Sequence, residues 1–463
     1  MNEIHLWGIT MNIAVVGTGY VGLVTGACFC EFGLKVTCVD SDAKKIKALQ
    51  QGVIPIFEPG LEEIVRRNMA GGSLRFTGDI DESIRNSLAV FIAVGTPSKD
   101  DGSADLSYVD EVSRAVARNL TGYKVVVTKS TVPVGTGGRI RATIERYLRK
   151  QQKAKVQDQG ILKGNERRRP VLFDIVSNPE FLREGSAVDD FMHPDRIIIG
   201  ADSEQAVAIM KDLYSPLYLG GKTRFVITDV RTAELIKYAT NAFLATKITF
   251  INEIANICDR VGSNVLTIAS ALGMDGRISP KFLNPGPGFG GSCFPKDTKA
   301  LIKIAKDAGY DFGVLEAVVR TNYRHHRLMV EKIRKAAGGL RGKTVGLLGL
   351  SFKPNTDDIR ESPAIAILRE LKRCGARVRV YDPAAGAAAK EEIPGLDLRQ
   401  DVDSVARGAD ALVIATEWNQ FRNLDLPKIK KLLKKPLLVD LRNIYQPERV
   451  RAAGLTYVGI GQS

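Results

Sequence analysis

The stretch at residues 11–40, MNIAVVGTGYVGLVTGACFCEFGLKVTCVD, restricts the fold of this chain more than any other. An apolar, β-branched run leads into a glycine-rich turn, a helical segment and a second apolar run, which together form a βαβ unit. Further β-branched runs alternate with helical patterns up to about residue 201. This alternation predicts an α/β fold, in which a doubly wound parallel sheet is covered by helices on both faces.

Three glycines, Gly17, Gly19 and Gly22, form the pattern G-T-G-Y-V-G directly after the first predicted strand. The first glycine allows a tight turn, the second lets a pyrophosphate approach the backbone, and the third lets helix and strand pack closely. Asp40 ends the second strand, where a carboxylate can bind ribose hydroxyls and repel a 2′-phosphate. The pattern therefore predicts an NAD site, with Lys45 either a further contact or a solvated lysine.

A chain of 463 residues is too long for one hydrophobic core, so two or three domains are expected. Residues 230–261 contain no glycine or proline and predict a helix of roughly 48 Å, suited to a domain connector or a dimer interface. A second α/β pattern opens at residues 343–350 without a full glycine fingerprint, so it either binds another nucleotide or is only a packed domain. We predict two Rossmann-like domains joined by a helical middle domain, with boundaries at 11–215, 216–325 and 326–463.

The chain is basic, with 66 Lys and Arg against 52 Asp and Glu, which gives a net charge of +14. Residues 149–169 hold eight basic and two acidic residues and are interpreted as a solvated insertion between two strands. Because no recognition motif accompanies the charge, no nucleic-acid partner is expected. The chain also lacks a signal-peptide pattern and a membrane-length apolar run, which predicts a cytoplasmic protein without membrane insertion.

Six cysteines are spread without the spacing of a zinc site or a disulfide framework, and no metal is expected. Cys293 differs from the others because it lies in GFGGSCFPKD, with Pro295 at the predicted first turn of a following helix. The helix dipole at that position lowers the pKa of a thiol and favours the nucleophilic thiolate. A single cysteine is more often inert, so the pattern alone leaves both roles open.

Other polar residues follow strands or share a helix face. Lys237 and Asn241 are four residues apart, so together they either polarise an oxygen or are simply solvated. Glu180 and Glu184 in SNPEFLREG, and Thr131 in KSTVPVG, follow predicted strands at the edge where α/β proteins bind ligands. Each is a turn residue or a catalyst, and their joint placement at strand ends favours a site.

Nine segments resemble, in order, the UDP-glucose 6-dehydrogenase family of nucleotide-sugar dehydrogenases, from about Met11 to the C-terminal strands. These segments are GTGYVG, EPGLEEIV, VGTPS, KSTVPVG, NPEFLREG, ELIKYATN, GFGGSCFPKD, GLSFKPNTDDIRES and ATEW. Glu417 and Trp418, with Phe294, favour UDP-glucose over GDP-mannose or UDP-N-acetylmannosamine within this resemblance. Residues 1–10 and the basic insertion have no counterpart in the common core of the family.

The resemblance implies an NAD-dependent, four-electron oxidation of UDP-glucose to UDP-glucuronate, with two NAD used per sugar. Cys293 would capture the C6 aldehyde as a thiohemiacetal, which is oxidised to a thioester and then hydrolysed. Lys237 and Asn241 would stabilise negative charge on oxygen, Asp297 and Thr131 would hold a water, and Glu180 would assist proton transfer. The alternatives are the same chemistry on GDP-mannose or UDP-N-acetylmannosamine, and a non-catalytic nucleotide-binding protein with an anionic partner.

The same resemblance implies the binding residues. Those expected at the cofactor are Gly17, Gly19, Tyr20, Val21, Gly22, Asp40, Lys45, Thr96, Thr131, Glu184, Lys296 and Arg360. Those expected at the substrate are Glu180, Phe181, Leu182, Arg183, Glu184, Lys237, Asn241, Arg277, Phe282, Leu283, Asn284, Pro285, Gly286, Gly290, Lys353 and Arg442. Arg277 is expected to reach the substrate of a neighbouring subunit, in a homodimer or higher homo-oligomer formed by the middle helical region.

Overall fold

The computed structural model describes residues 11–158, 173–219 and 223–462, and they fall into two compact units that divide between Ala239 and Thr240. The first ten residues and the part of the predicted basic insertion beyond residue 158 lie outside these ranges. Within the described residues, no helix combines the length and apolar character that crossing a membrane requires.

The first unit is built on an eight-stranded sheet with the order β3-β2-β1-β4-β5-β6-β7-β8. Its strands are β1 (Asn12–Val16), β2 (Lys35–Val39), β3 (Leu74–Thr77), β4 (Ala89–Ile92), β5 (Lys124–Thr128), β6 (Phe173–Ser177), β7 (Arg196–Ala201) and β8 (Arg224–Thr228). Its helices are α1 (Tyr20–Glu31), α2 (Ala43–Gln50), α3 (Leu61–Ala70), α4 (Ile80–Arg85), α5 (Ser107–Arg118), α6 (Thr136–Asp158), α7 (Ala187–Met192), α8 (Glu204–Leu213) and α9 (Ser215–Leu219).

Helices cover both faces of this sheet because its central strands are apolar on both sides. Every residue of β4 and β5 is buried. On one face Phe29 of α1 packs against Phe91 of β4, with ring centroids 5.1 Å apart. On the other face Ile140 and Ile144 of α6 belong to a second buried cluster. The prediction of an α/β fold with helices on both faces is confirmed.

The pairing of β6 with β7 is antiparallel, whereas the other strand pairs described in this sheet are parallel. The sheet is therefore parallel, as predicted, except at this one pair. The connection between β6 and β7, residues 178–195, contains one short helix, α7, and β7 pairs through its last two residues, Gly200 and Ala201, with Ser177 and Val176 at the end of β6. The chain therefore re-enters the sheet close to the end at which β6 leaves it.

The second unit combines a helical part with a six-stranded parallel sheet of order β11-β10-β9-β12-β13-β14. Its strands are β9 (Thr344–Leu348), β10 (Arg377–Tyr381), β11 (Asp397–Leu398), β12 (Ala411–Ile414), β13 (Leu437–Asp440) and β14 (Thr456–Val458). The helices that follow α9 are α10 (Val230–Val261), α11 (Val265–Met274), α12 (Phe294–Asp307), α13 (Gly313–Ala337), α14 (Pro363–Arg373), α15 (Gly386–Glu392), α16 (Val402–Ala406), α17 (Asn419–Arg422), α18 (Leu426–Leu432) and α19 (Pro447–Ala452).

The long helix predicted for residues 230–261 is confirmed, and so is the second doubly wound sheet. The strands without a sequence signal were β3, β8, β11 and β14, which are short or lie at or near a sheet edge and therefore lack a long apolar run. The domain boundaries stay predictions. Strand β8 lies after the predicted boundary at residue 215 but still pairs with β7 in the first sheet. Helix α13 runs without a break across the predicted boundary at residue 325.

Candidate functional site

The glycine turn of the first unit has the geometry that its sequence predicts. Gly17 has φ +102°, and a Cβ there would lie 2.6 Å from the carbonyl oxygen of Ala93. A Cβ on Gly22 would lie 1.8 Å from the carbonyl oxygen of Gly17, so helix and turn can pack this closely only through glycine. A Cβ on Gly19, the N-cap of α1, would meet nothing within 4 Å. The backbone N–H groups at the start of α1 are therefore open to a phosphate.

Asp40 closes the same turn from the end of β2. Its Oδ2 accepts hydrogen bonds from the backbone N–H and hydroxyl of Thr18, at 2.9 and 2.6 Å, and from Lys45 Nζ at 3.1 Å. Partial burial alone would raise the pKa of Asp40, but the bonds from Thr18, Asp42 and Lys45 lower it to about 2. Asp40 is therefore charged at neutral pH, and Lys45 is its ion-pair partner.

A cleft of about 560 Å³ opens beside Gly17, Gly19 and Asp40. Its opposite wall comes from helix α5, which the sequence patterns did not connect with the site. The residues of α5 that line the cleft are Tyr108, Glu111, Val112, Arg114, Ala115 and Arg118. No local signal could have found them, because only the crossover of the chain brings α5 beside the turn.

Glu180 and Lys237 form a buried ion pair in the first unit. Lys237 Nζ lies 2.9 Å from Glu180 Oε1 and 2.6 Å from the Glu180 carbonyl oxygen, and both side chains are about 5% exposed or less. Glu180 Oε2 also accepts the backbone N–H of Leu182 at 2.6 Å. The ring of Phe181 packs against Arg196 and Lys237. The structure thus brings Lys237 to the predicted segment SNPEFLREG and excludes the interpretation of Lys237 as a solvated lysine.

The same segment is attached to the start of α1. The backbone N–H of Gly185, which follows Glu184, lies 2.7 Å from the hydroxyl of Tyr20 and 2.6 Å from Glu58 Oε2. Glu58 also accepts the N–H of Ala187 at the start of α7. Glu58 belongs to the quoted segment EPGLEEIV but was not assigned a role. Its carboxylate and the Tyr20 hydroxyl together hold the backbone that directly follows Glu184.

The remaining predicted residues of the first unit divide into two groups. Thr96 donates a hydrogen bond from its hydroxyl to the carbonyl oxygen of Thr131 at 2.8 Å, so these two are together. Val21 lies in the first turn of α1 beside the glycines. Arg183 instead is exposed and bonds to Asp190 of α7, so the structure directs its guanidinium to a surface ion pair.

A buried lysine that the sequence patterns missed lies in the loop after β5. Lys129 Nζ donates to Asn178 Oδ1 at 3.1 Å and to the hydroxyl of Tyr214 at 3.2 Å. Burial lowers the pKa of Lys129 to about 7, opposed by the nearby Glu180 and reinforced by Lys237. Lys129 is the first residue of the segment KSTVPVG, directly after an apolar strand, and that position was the only weak signal for it.

We expect Lys129→Met to raise the free energy of unfolding at pH 6 by about 2 kcal/mol or more. Between pH 7 and the ordinary lysine pKa of 10.5 the folded protein binds fewer protons than the unfolded chain, so the native lysine destabilises most at low pH. Urea unfolding at pH 6, 8 and 10 should show the difference between the two proteins shrink as pH rises. A difference that is constant with pH would contradict the lowered pKa.

The second unit contains the predicted thiol and its neighbours. Cys293 is the N-cap of α12, Pro295 is in the first turn of the helix, and the N–H of Asp297 donates to the Cys293 carbonyl oxygen at 2.8 Å. The Asp297 carboxylate, 1% exposed, accepts Asn241 Nδ2 at 2.6 Å and Lys296 Nζ at 2.6 Å. The predicted placement of the cysteine at a helix N-terminus is confirmed. Asn241 is buried, so it is not the solvated residue that the sequence allowed.

The glycine-rich segment before Cys293 contacts residues of the loops that follow strands of the C-terminal sheet. A Cβ on Gly290 would lie 2.3 Å from the Glu361 carbonyl oxygen, and one on Gly286 would lie 3.1 Å from Arg442 Nη1. Arg442 donates to the carbonyl oxygens of Phe352 and Ala415, both at 2.9 Å. The structure therefore places Gly286 against Arg442, and Gly290 against the backbone of Glu361.

Other predicted substrate residues lie around this segment. Leu283 and Pro285 are buried and Asn284 is exposed. Phe282 has φ +65°, a strained value for a non-glycine residue, and its ring centroid is 6.2 Å from that of Phe294. Lys353 Nζ lies 5.4 Å above the ring of Phe352.

Two predicted arginines pair locally instead. Arg277 is largely exposed and bonds to Asp275, and Arg360 is exposed and bonds to Asp358. The carbonyl oxygen of Arg360 accepts the N–H of Gly291 at 2.9 Å, so its backbone touches the glycine-rich segment. The expected reach of Arg277 to the substrate of a neighbouring subunit stays a prediction.

The second sheet repeats the layout of the first turn with different residues. Gly349 has φ +93°, and the buried Asp382 accepts the backbone N–H groups of Leu350 and Ser351 at 2.7 and 3.0 Å. Trp418 Nε1 donates to Ser351 Oγ at 3.2 Å, so the tryptophan of ATEW is part of this buried network. Both units therefore carry the strand order and the acidic strand end of nucleotide-binding sheets.

This duplicated architecture, with a glycine turn closed by a charged aspartate in one unit and a cysteine at a helix N-terminus in the other, defines a dinucleotide-dependent dehydrogenase. Three domains of the UDP-glucose/GDP-mannose dehydrogenase family match the chain: the NAD binding domain at residues 11–218, the central domain at 231–324 and the UDP binding domain at 346–447. The chain belongs to the UDP-glucose/GDP-mannose dehydrogenase family.

Among known proteins, the chain is 52% identical to a UDP-glucose 6-dehydrogenase of Rhizobium meliloti, over 98% of this chain and 100% of that one. It is 47% identical to a UDP-glucose 6-dehydrogenase of Bacillus subtilis, over 97% and 93%. Among solved structures, a UDP-glucose dehydrogenase from Pyrobaculum islandicum superposes with TM-score 0.88 at 37% identity, covering 100% of both chains. A UDP-D-ManNAc dehydrogenase from Pyrococcus horikoshii gives 0.82 at 29%, covering 98% and 99%.

Proposed function

We propose that this protein oxidises UDP-glucose to UDP-glucuronate and reduces two NAD⁺ per sugar. The observation that carries the proposal is Cys293 at the N-terminus of α12, in a chain whose other unit has a glycine turn suited to NAD. A single hydride transfer needs no thiol, whereas oxidation of an alcohol to a carboxylate passes through an aldehyde that must be retained. The UDP-glucose 6-dehydrogenase relatives support the choice of sugar.

The proposed chemistry balances in four steps. The C6 alcohol loses a hydride and a proton to become an aldehyde, and the Cys293 thiolate adds to the aldehyde carbon to form a thiohemiacetal. A second hydride leaves that carbon and gives a thioester, which water hydrolyses to the carboxylate and the free thiol. NAD⁺, when bound, supplies the acceptor for each hydride. The thiol is regenerated, so it acts as a catalyst.

The remaining work is assigned to the other predicted catalytic residues. We assign Lys237 and Asn241 to the negative charge that develops on the C6 oxygen, and Glu180, which pairs with Lys237, to proton transfer. Asp297 and Thr131 hold the hydrolytic water. The contact between Asp297 and Asn241 at 2.6 Å supports a joint role for these two residues.

We assign the cofactor to the cleft beside the glycine turn. The open approach at Gly19 suits the pyrophosphate, and Asp40 and Lys45 suit the adenosine ribose. The further residues of this assignment are Gly17, Tyr20, Val21, Gly22, Thr96, Thr131, Glu184, Lys296 and Arg360. For the nucleotide sugar we keep Glu180, Phe181, Leu182, Arg183, Glu184, Lys237, Asn241, Arg277, Phe282, Leu283, Asn284, Pro285, Gly286, Gly290, Lys353 and Arg442.

Asp40→Ala is expected to raise the KM for NAD⁺ about tenfold or more, because the ribose hydroxyls lose a charged acceptor. The same change should narrow the preference for NAD⁺ over NADP⁺, since the repulsion of a 2′-phosphate is removed. Initial rates with each cofactor at saturating UDP-glucose measure both effects. Glu63→Ala, at an exposed carboxylate of α3, is the control. An unchanged KM for NAD⁺ would exclude Asp40 from the cofactor site.

The decisive test of the function is to incubate the purified protein with UDP-glucose and NAD⁺ and to count both products. We expect two NADH for each UDP-glucuronate. One NADH per sugar would reject the double oxidation, and absence of NADH with every nucleotide sugar would favour a non-catalytic binding protein. Parallel rates with GDP-mannose and UDP-N-acetylmannosamine decide between the related substrates.

We further propose that the protein is a homodimer or a higher homo-oligomer built on α10. Phe243, Phe250 and Ile257 are seven residues apart, Val261 follows one turn later, and all four are more than half exposed. This spacing gives an apolar stripe on one helix face, which pairing with a second copy would bury. An exposed Arg277 in the same unit agrees with a role at a neighbouring subunit's substrate.

Phe250→Asp is expected to weaken self-association at least about 30-fold, because it buries a charge at the centre of this stripe. Sedimentation over a range of protein concentrations measures the change. Tyr310→Asp alters a more exposed aromatic residue outside α10 and should leave the association intact. If Phe250→Asp keeps the unsubstituted mass at every concentration, the stripe is not the interface.

We place the enzyme in the cytoplasm. Cys28, Cys30, Cys38 and Cys258 are buried free thiols, which fits a reducing compartment. A fractionated cell extract tests the location.

A further inference from the structure

The segment at residues 286–289, with the sequence GPGF, is buried but is not part of any helix or strand. It precedes Cys293 and lies beside Arg442. Its backbone polar groups must find partners other than a strand or helix, because water is excluded. The inference drawn from these partners rests on the proposed function, since the segment is assigned there to the nucleotide sugar.

Side chains from two helices supply the partners. Asn252 of α10 accepts the N–H of Gly286 on Oδ1 at 2.9 Å. Asn322 of α13 accepts the N–H of Phe289 on Oδ1 at 2.9 Å and donates from Nδ2 to the Phe289 carbonyl oxygen at 3.0 Å. His325 Nε2 lies 2.9 Å from the Gly286 carbonyl oxygen. Three side chains thus satisfy four backbone groups at the two ends of the segment.

The hydrogen bonds fix the state of His325. The Gly286 carbonyl can only accept, so Nε2 carries the proton and Nδ1 accepts from Asn256 Nδ2, 3.2 Å away. Burial lowers the pKa of His325, which keeps the ring neutral. The ring therefore works as a fixed donor to the segment.

The segment also has little room to move. Gly288 has φ +125°, and a Cβ there would lie 2.8 Å from Asn322 Oδ1 and 2.9 Å from His326 Nε2.

Two polar atoms against the segment, Asn252 Nδ2 and His326 Nε2, are buried without a hydrogen-bond partner among the described residues. Unsatisfied buried polar atoms are rare and are usually explained by a ligand, an ion or an ordered water.

We propose that Asn252, Asn322 and His325 are positioning residues that hold segment 286–289 in the conformation that binds the nucleotide sugar. They act through the main chain of the segment, whose other side faces Arg442. The three residues and the segment all belong to the second unit, whereas the glycine turn assigned to the cofactor belongs to the first. Substitution of one of them is therefore expected to weaken binding of the nucleotide sugar and to leave binding of NAD⁺ unchanged.

The test uses His325→Phe and Asn322→Leu in the full chain. Each is expected to raise the KM for UDP-glucose about tenfold or more, with the KM for NAD⁺ within about twofold of the unsubstituted value. Calorimetric binding of UDP-glucose should weaken by the same factor. His325→Gln, which keeps an N–H donor, should recover most of the loss. His193→Phe, at an exposed histidine of the first unit, is the matched control.

The melting temperature and NAD⁺ binding establish that each variant is folded. If Asn322→Leu does not fold, His325→Gln and His325→Phe decide the question between them. A folded His325→Phe protein with an unchanged KM for UDP-glucose overturns the proposal, and so does an equal rise in both KM values. An unsubstituted protein that oxidises no nucleotide sugar would instead reject the proposed function, which is a separate outcome.

Discussion

Cys293→Ser is expected to abolish formation of UDP-glucuronate, with a loss of at least about 10³-fold in rate. A serine hydroxyl is much less acidic than a thiol and stays protonated, so it does not capture the aldehyde as a thiolate does. Binding of UDP-glucose should remain within about twofold, because the two side chains are nearly the same size. Chromatography of the products and calorimetry of the substrate measure the two effects separately.

The control for this result is Cys374→Ser, at a half-buried cysteine next to α14 of the same unit. It should turn over normally. A Cys293→Ser protein that forms the acid at a near-normal rate would remove the thiol from the mechanism, whatever its position at the helix N-terminus.

Lys237→Met is expected to lower both stability and turnover. The ammonium group is the partner of Glu180 in a pair that is about 5% exposed or less, so its loss leaves a buried carboxylate and costs about 3 kcal/mol of the free energy of unfolding. The proposed loss of charge stabilisation at the C6 oxygen should lower kcat by about 10² to 10³. Urea unfolding and initial rates at pH 8 give the two numbers.

The double variant Lys237→Met with Glu180→Gln separates the two effects. It removes both charges, so the stability should largely return while kcat stays low. Lys335→Met, at an exposed lysine of α13, is the control for loss of a positive charge. A double variant no more stable than Lys237→Met alone would show that the buried carboxylate is not the source of the loss.

The regular elements could be predicted because their signals are local. The apolar run at β1, the three glycines and the aspartate after β2 each act within about 30 residues, and the structure places them as expected. The N-terminal position of Cys293 on α12 was likewise readable from Pro295 and the helical pattern that follows. The antiparallel pairing of β7 could not be predicted, because it depends on the path of the whole connection 178–195, which no local pattern sets.

The site was only partly predictable, for the same reason. Lys237 and Asn241 were expected on one helix face, but whether they were solvated depended on Glu180 and Asp297, which lie more than 50 residues away in the chain. Lys129 gave almost no signal, since its partner Tyr214 is 85 residues distant.

The sequence by itself determined the βαβ unit, the cofactor turn, the long helix and the position of the thiol, because each depends on neighbouring residues and on backbone preferences. Only the tertiary structure decided which polar side chains are buried together and which backbone segments they hold, as Asn322 and His325 do for residues 286–289. Burial is a property of the packed chain, and it is burial that turns an ordinary lysine, histidine or carboxylate into a group with a fixed partner.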